Sequence, residues 1–214
     1  MKLLGAVAMV LAVASPALAQ PRVLVDAGAV LVGGANAGTA TATYIAPDGS
    51  SVPQFSLEKS IGPAVGVNGH LQIRIRPRVA FEVTARWARA EFRTRLSGDT
   101  DGAENAAATQ SVDRFVVGGG AVVRLKQVGR WHTFARGSVG WLRELSDDRS
   151  LYQDGWVGEL GAGANFQWRE KRGRFRPYGI RTDVWLDVRH GGLSFTDKSR
   201  LWSPAFSVAM IFKL

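Results

Sequence analysis

Val65-Gly66-Val67-Asn68-Gly69-His70-Leu71-Gln72-Ile73-Arg74-Ile75 alternates residue by residue. Val65, Val67, Leu71, Ile73 and Ile75 fall on one face, and Gly66, Asn68, His70, Gln72 and Arg74 fall on the other. A period of two belongs to an extended strand, whose successive side chains point to opposite sides. Unbroken aliphatics on one face and polar groups on the other predict a strand that separates an oily space from a wet one.

The N-terminus predicts export. Lys2 opens a positive segment, Leu3 to Ala14 form an apolar run, and Ala17-Leu18-Ala19 supplies a small-residue cleavage site, so residues 1–19 read as a Sec signal peptide and 20–214 as one domain. The apolar run is shorter than the ~18–20 residues a spanning helix needs. Later apolar runs are all interrupted by Arg, Asp, Gly or Gln. A membrane location for such a chain leaves the closed barrel, because lipid satisfies no backbone hydrogen bonds. There is no cysteine, hence no disulfide staple. Mean hydropathy near zero argues against a helical membrane protein but suits strands that alternate. The formal charge of +9 comes without a Lys-rich run, and the Arg residues occupy alternate strand positions, so no nucleic-acid partner is expected. Anionic lipopolysaccharide and outer-membrane lipid are the expected partners of an exported basic barrel.

Seven further segments carry the alternation. Their apolar positions run from Val23 to Leu31, Val79 to Trp87, Phe115 to Leu125, Trp131 to Trp141, Trp156 to Trp168, Tyr178 to Val188 and Trp202 to Leu214. The segment from Val79 changes phase near Arg89, as a β-bulge would cause. Short links at Pro77-Arg78, Gln127 to Arg130 and Glu170 to Arg174 alternate with long ones at Gly33 to Ser60, Ser97 to Ser111, Ser146 to Gly155 and His190 to Ser199. Short periplasmic turns, long surface loops and an even strand number describe bacterial outer-membrane barrels. The expectation is an all-β, eight-stranded antiparallel transmembrane β-barrel with both ends in the periplasm. Ten strands would require Thr39 to Ile45 and Val52 to Leu57 to cross around Pro47-Asp48-Gly49. Pro53 interrupts the second, so the pair reads as a hairpin protruding from the first loop.

Alternation alone leaves open a soluble barrel with its apolar face inward, carrying an apolar ligand. Two features favour the membrane. Trp131 and Trp141 lie ten positions apart on one face, as do Trp156 and Phe166, which at ~3.4 Å per residue and ~40° tilt spans the ~25 Å apolar band between aromatic girdles. Trp87, Trp168 and Trp202 complete the expected girdle. Gly66, Gly118, Gly120, Gly161 and Gly163 fall on the polar face, where small residues fill a tight lumen.

The C-terminal run Ser207-Val208-Ala209-Met210-Ile211-Phe212-Lys213-Leu214 is similar to an assembly signal: a polar residue, Gly two later, then two alternating hydrophobic or aromatic positions. With the strand pattern, it makes the chain resemble the small OmpA-like outer-membrane β-barrel superfamily over essentially the whole of 20–214. Ser207 and Phe212 fit; Ala209 stands for the usual Gly and Leu214 for the usual terminal aromatic. The resemblance implies recognition by the barrel-assembly machinery and a cell-outer-membrane location; unlike full-length OmpA, the chain is expected to leave no room for a peptidoglycan-binding domain after the last strand.

The polar face holds acids Asp26, Glu82, Glu144, Glu159, Asp183 and Asp187, and bases Arg74, Arg76, Arg86, Arg124, Lys126, Arg136, Arg181 and Arg189. An eight-stranded lumen admits little beyond its own side chains. Charges buried there must be paired, since an unpaired one costs several kcal/mol. The expected site is therefore a charge network of Arg74, Arg86, Arg124, Arg136, Arg181, Glu82, Glu159, Asp183 and Asp187 that shuts the lumen, with a narrow pore as the variant reading. No spacing singles out catalytic carboxylates. His70, His132 and His190 have no partner at metal-ligand spacing, so no metal, cofactor or catalytic residue is expected. A lipid A acylhydrolase or acyltransferase would draw on His190, Ser194 and Asp197, but His190-Gly-Gly-Leu-Ser194 departs from the close His and Ser on one strand of such acylhydrolases. Asp99, Asp101 and Glu104 depart from a calcium-loop spacing. The four loops are left as a surface for a ligand the sequence does not name.

Overall fold

The computed structural model describes residues 23–97, 106–147, 152–168, 177–191 and 200–213. Residues 1–19, Asp99, Asp101, Glu104, Ser194, Asp197 and Leu214 lie outside these. The strands are β1 (Val23–Val32), β2 (Ala35–Ile45), β3 (Ser51–Ile61), β4 (Ala64–Arg74), β5 (Val79–Ser97), β6 (Ala107–Val128), β7 (Trp131–Ser146), β8 (Tyr152–Gln167), β9 (Pro177–Gly191) and β10 (Leu201–Lys213). All pairings are antiparallel. The sheet has ten strands, which corrects the expected eight.

Eight of the ten close a ring: β1 pairs β4, then β5, β6, β7, β8, β9 and β10 follow in order, and β10 returns to β1. The other two, β2 and β3, belong to the stretch expected as a loop from Gly33 to Ser60. Only Gly33-Gly34 separates β1 from β2, and only Gly62-Pro63 separates β3 from β4. The register runs through this break, from Val32 opposite Ala64 to Ala35 opposite Ile61. Pro63 has no N–H to offer a ladder. A side chain at Gly34 would put its Cβ 2.6 Å from the Ile61 carbonyl oxygen, so the two backbones approach there as only glycine permits.

Above the break, β3 leaves β1's neighbourhood and pairs β5 from Ser56 opposite Ser97 to Ile61 opposite Phe92. With the top of β6, this makes a four-stranded extension, β2-β3-β5-β6, standing on one side of the ring. Pro53 is accommodated by a register shift between Ala42 and Thr43, which leaves Phe55 and Pro53 as consecutive partners of β2. The hairpin turns at Pro47-Asp48-Gly49. Gly49 takes φ +83°, and the Asp48 carboxylate accepts from the Ser50 N–H (2.9 Å) and hydroxyl (2.6 Å).

The expected change of phase near Arg89 is absent. β5 pairs β6 without slippage from Val79 opposite Val123 to Arg95 opposite Ala107, and Ala80, Glu82, Thr84, Arg86, Ala88, Ala90 and Phe92 all point inward. What changes is the polarity of the two sides. Beyond Ala88 the inward face turns apolar, and Arg89, Glu91 and Arg93 are exposed on the outward face. The expected link Ser97 to Ser111 is likewise shortened, because β6 begins at Ala107.

Outward-facing positions are apolar and exposed over the height of the ring, including Val65, Val67, Val117, Val139, Leu160, Val184 and Phe206. Trp87, Trp131, Trp141, Trp156, Trp168 and Trp202 all face outward. Trp131 and Trp168 lie near the short-turn end; the other four lie nearer the loop end. Trp131 packs on Phe166 with ring centroids 5.0 Å apart. No helix among the described residues is long and apolar enough to cross a membrane, a statement that does not concern strands.

Candidate functional site

The inward side chains divide the lumen into layers. In the middle, Arg181 from β9 is fully buried and reaches three carboxylates: Asp26 at 3.1 Å, Glu82 at 2.6 Å and Asp183 at 2.7 and 2.9 Å. Arg136 from β7 is ion-paired with Glu159, and lies 3.6 Å from Glu82 and 3.9 Å from Asp183. Arg86 from β5 bridges Asp187 at 2.8 Å and Glu159 at 3.3 Å. Gln72 donates to Glu82 (2.7 Å), Ser138 to Glu159 (2.8 Å), and Ser207 to Asp183 (3.4 Å). Every ring strand except β6 contributes to this layer.

His70 sits inside it. Its Nδ1 is 2.5 Å from Asp26 and its Nε2 is 3.2 Å from an Arg136 nitrogen. A guanidinium only donates, so Nε2 accepts and the ring proton sits on Nδ1, aimed at the carboxylate.

Trp185 separates this layer from the next. Its indole N–H donates to Asp187 (2.7 Å), while Arg86 and Arg136 stack on its ring at 5.5 and 5.1 Å. The glycines opposite make room for it. A Cβ at Gly161 would sit 2.4 Å from that of Trp185, and one at Gly163 would sit 2.5 Å from the Phe134 ring, over which Arg181 lies at 4.8 Å.

Toward the loops, Arg114 and Arg189 flank Glu144, the first at 3.0 Å and the second in direct ion pair. The wall beside them is apolar: Val116, Leu142 and Val157 form one cluster. Val30, Val32, Ile61, Ala64, Phe92, Val112 and Leu201 belong to a larger buried apolar cluster that Trp185 also joins. The lumen is thus ionic in the middle, and at its loop end a largely apolar wall surrounds one further buried ion cluster, Arg114–Glu144–Arg189.

Of the expected site residues, Arg86, Arg136, Arg181, Glu82, Glu159, Asp183 and Asp187 come together in the middle layer. Arg74 and Arg124 are half-buried near the short-turn end. Arg114 lies just before the segment that the sequence pattern opens at Phe115, although alternation back from Val116 places it inside. Trp185, too, lies on the inward phase of β9. His190 belongs to β9 rather than to a loop, and its ring packs 5.7 Å from Trp156 on the outward face. Among the described residues no group of His, Cys, Asp and Glu could hold a metal ion.

The expected assembly-signal residues fall on the strand that closes the ring. Ser207 and Ala209 are buried inward, and Ala209 lies opposite Gly28 of β1. Phe212 is half-buried at a register shift between Ile211 and Phe212.

No protein-family model matches this sequence, and no curated protein does. The fold has a solved counterpart. The outer-membrane protein OprG from Pseudomonas aeruginosa superposes with a TM-score of 0.53 at 10% identity, over 91% of this chain and 96% of that one. The chain has the fold of an outer-membrane β-barrel.

Proposed function

We propose that this chain is a non-enzymatic barrel of the outer membrane whose work is structural: it adds a rigid, closed cylinder to the envelope and presents loops at the surface. The observation that carries the reading is the middle layer of the lumen, where Arg86, Arg136 and Arg181 are each buried against two or more carboxylates contributed from different strands. Such a layer is a plug, because its three guanidiniums and the carboxylates of Asp26, Glu82, Glu159, Asp183 and Asp187 engage one another across the lumen. The exposed aliphatic wall with Trp near both ends supports embedding in lipid. The likeness of the last strand to the OmpA-like assembly signal supports delivery by the barrel-assembly machinery, with lipopolysaccharide and outer-membrane lipid as surroundings.

The test is single-channel recording in planar bilayers. The wild-type protein is expected to hold no steady conductance. Arg136→Ala removes the guanidinium between Glu82, Glu159 and Asp183, and Glu159→Ala removes the acceptor shared by Arg86 and Arg136. Both are expected to give stepwise currents, cation-selective for the first, in preparations that keep the heat-modifiable gel mobility of a folded barrel. Silent recordings from both folded variants would show that these residues do not shut the lumen.

A further inference from the structure

The net charge of +9 is not spread over the molecule. At the loop end, Arg89 is paired with Asp147, Arg93 with Glu91 and Arg143 with Asp154, so most of the described exposed cations there are neutralised in place, with Arg95 and Arg200 the exceptions. The lumen carries acids and guanidiniums in near balance. The short-turn end is different. Arg76 and Arg78 stand in the β4–β5 bend, Lys126 and Arg130 flank the β6–β7 turn, and all four are exposed. None makes an ion pair among the described residues, and no described acid lies in either turn. The two turns are held together, since the Arg124 N–H donates to the Arg78 carbonyl oxygen at 2.8 Å.

The cations do not stand alone. Ile75, Leu125, Val128 and Trp131 are interleaved with them, at 56, 60, 61 and 48% exposure. A surface that binds a dissolved polyanion has no use for exposed aliphatics at the same level. A surface at a lipid interface needs both, because apolar side chains enter the acyl region while long basic ones extend their charged heads to the phosphates. We infer that this rim is a docking surface for anionic phospholipid headgroups in the leaflet that faces the short turns, the periplasmic one in a barrel of this kind. A basic segment at an anionic lipid surface is attracted within about one Debye length, so the attraction is local and salt-sensitive. The basic excess of the chain then serves the leaflet opposite to the one that carries lipopolysaccharide.

The inference rests on embedding in a bilayer and is independent of the plug. It is tested by refolding the protein into phosphatidylcholine vesicles containing either chain-brominated phosphatidylglycerol or chain-brominated phosphatidylcholine, and reading tryptophan quenching. At low salt the brominated phosphatidylglycerol is expected to quench more strongly. The excess should vanish in the variant Arg76→Gln/Arg78→Gln/Lys126→Gln/Arg130→Gln, and in the wild type at ~1 M salt, where screening reaches about 3 Å. If the quadruple variant does not fold, the pairs Arg76→Gln/Arg78→Gln and Lys126→Gln/Arg130→Gln are read separately, and each should lower the excess. Equal quenching by both lipids in the wild type overturns the inference, as does an excess that survives in the variants. Co-sedimentation with purified peptidoglycan that the variants lose, with no lipid preference, replaces the lipid by that polymer. Failure of embedding itself reads differently, as no quenching by either lipid.

Discussion

The middle of the lumen and its loop end are built on one continuous wall by opposite rules. In the middle, the barrel is inside-out: aliphatics face outward and Arg181, Arg136, Asp26, Glu82 and Asp183 are buried. At the loop end it is the ordinary way round. Val32, Ile61, Phe92 and Leu201 are buried, and Arg89, Glu91 and Arg93 are exposed. The crossover on β5 takes place within three residues, between Arg86 and Arg89, with no change in the strand itself. On the proposed embedding, which side is oily follows what surrounds the wall at that height. Facing lipid, the wall buries charge, tolerated because guanidiniums and carboxylates satisfy one another. Facing water, it buries mainly apolar side chains, around the single ion cluster Arg114–Glu144–Arg189.

The two regions should answer to mutation on different scales. The largest effect is expected for Arg181→Ala, which leaves Asp26, Glu82 and Asp183 facing one another without their shared cation. Breaking one partner from a buried ion pair costs about 3–5 kcal/mol. Urea unfolding in lipid vesicles, followed by tryptophan fluorescence, should show a loss of that size. Adding Asp183→Asn to Arg181→Ala should recover part of it, and a midpoint that does not move at all would show the layer to be wet. The apolar end is expected to yield less. Ile61→Val removes one methylene from a buried position, a change worth ~1 kcal/mol. A loss as large as that of Arg181→Ala would mean that the loop end, rather than the ionic layer, holds the ring together.

The smallest effect belongs to the hairpin beyond both regions. Hydrogen bonds from Ser50 hold the Asp48 carboxyl below the usual carboxylate range. A depressed folded value means that the turn's contribution is fully present above the ordinary carboxylate range and is lost as the pH falls through the lowered one. Amide exchange at Gly49 and Ser50 should accelerate over that acid window in the wild type and show no such step in Asp48→Asn. The ring amides should be indifferent to either change.

Much of this was legible from alternation. The inward phase of β4 through Asn68, His70 and Gln72, and of β9 through Arg181, Asp183 and Asp187, follows from a period of two alone. Two things were hidden. The reversal on β5 looks in sequence like a slipped strand, because Ala88, Ala90 and Phe92 are apolar where Glu82 and Arg86 were not; pattern cannot separate a change of phase from a change of surroundings. The strands β2 and β3 were masked by composition. Ala35 to Ile45 is rich in Ala and Thr without an oily face, and Pro53 sits where a ladder donor is expected. The continued register of β1 and β4 supplies the order that the side chains do not advertise. The partners inside the lumen could not be read either: Arg86 and Asp187, or Asp26 and Arg181, meet only because the sheet curls round on itself.

That meeting has a consequence for how the molecule is made. β1 closes on β10, so the bonds of Asp26 to Arg181 and of Arg86 to Asp187 join residues 155 and 101 positions apart. Until the last strand arrives, the chain has no inside, and its acids and guanidiniums remain hydrated. Closing contacts this remote in sequence carries a loop-closure cost and slows folding. Enclosing the ionic layer requires the last strand, and a chain cut short of β10 is expected to keep its charges wet, with no cylinder to enclose them.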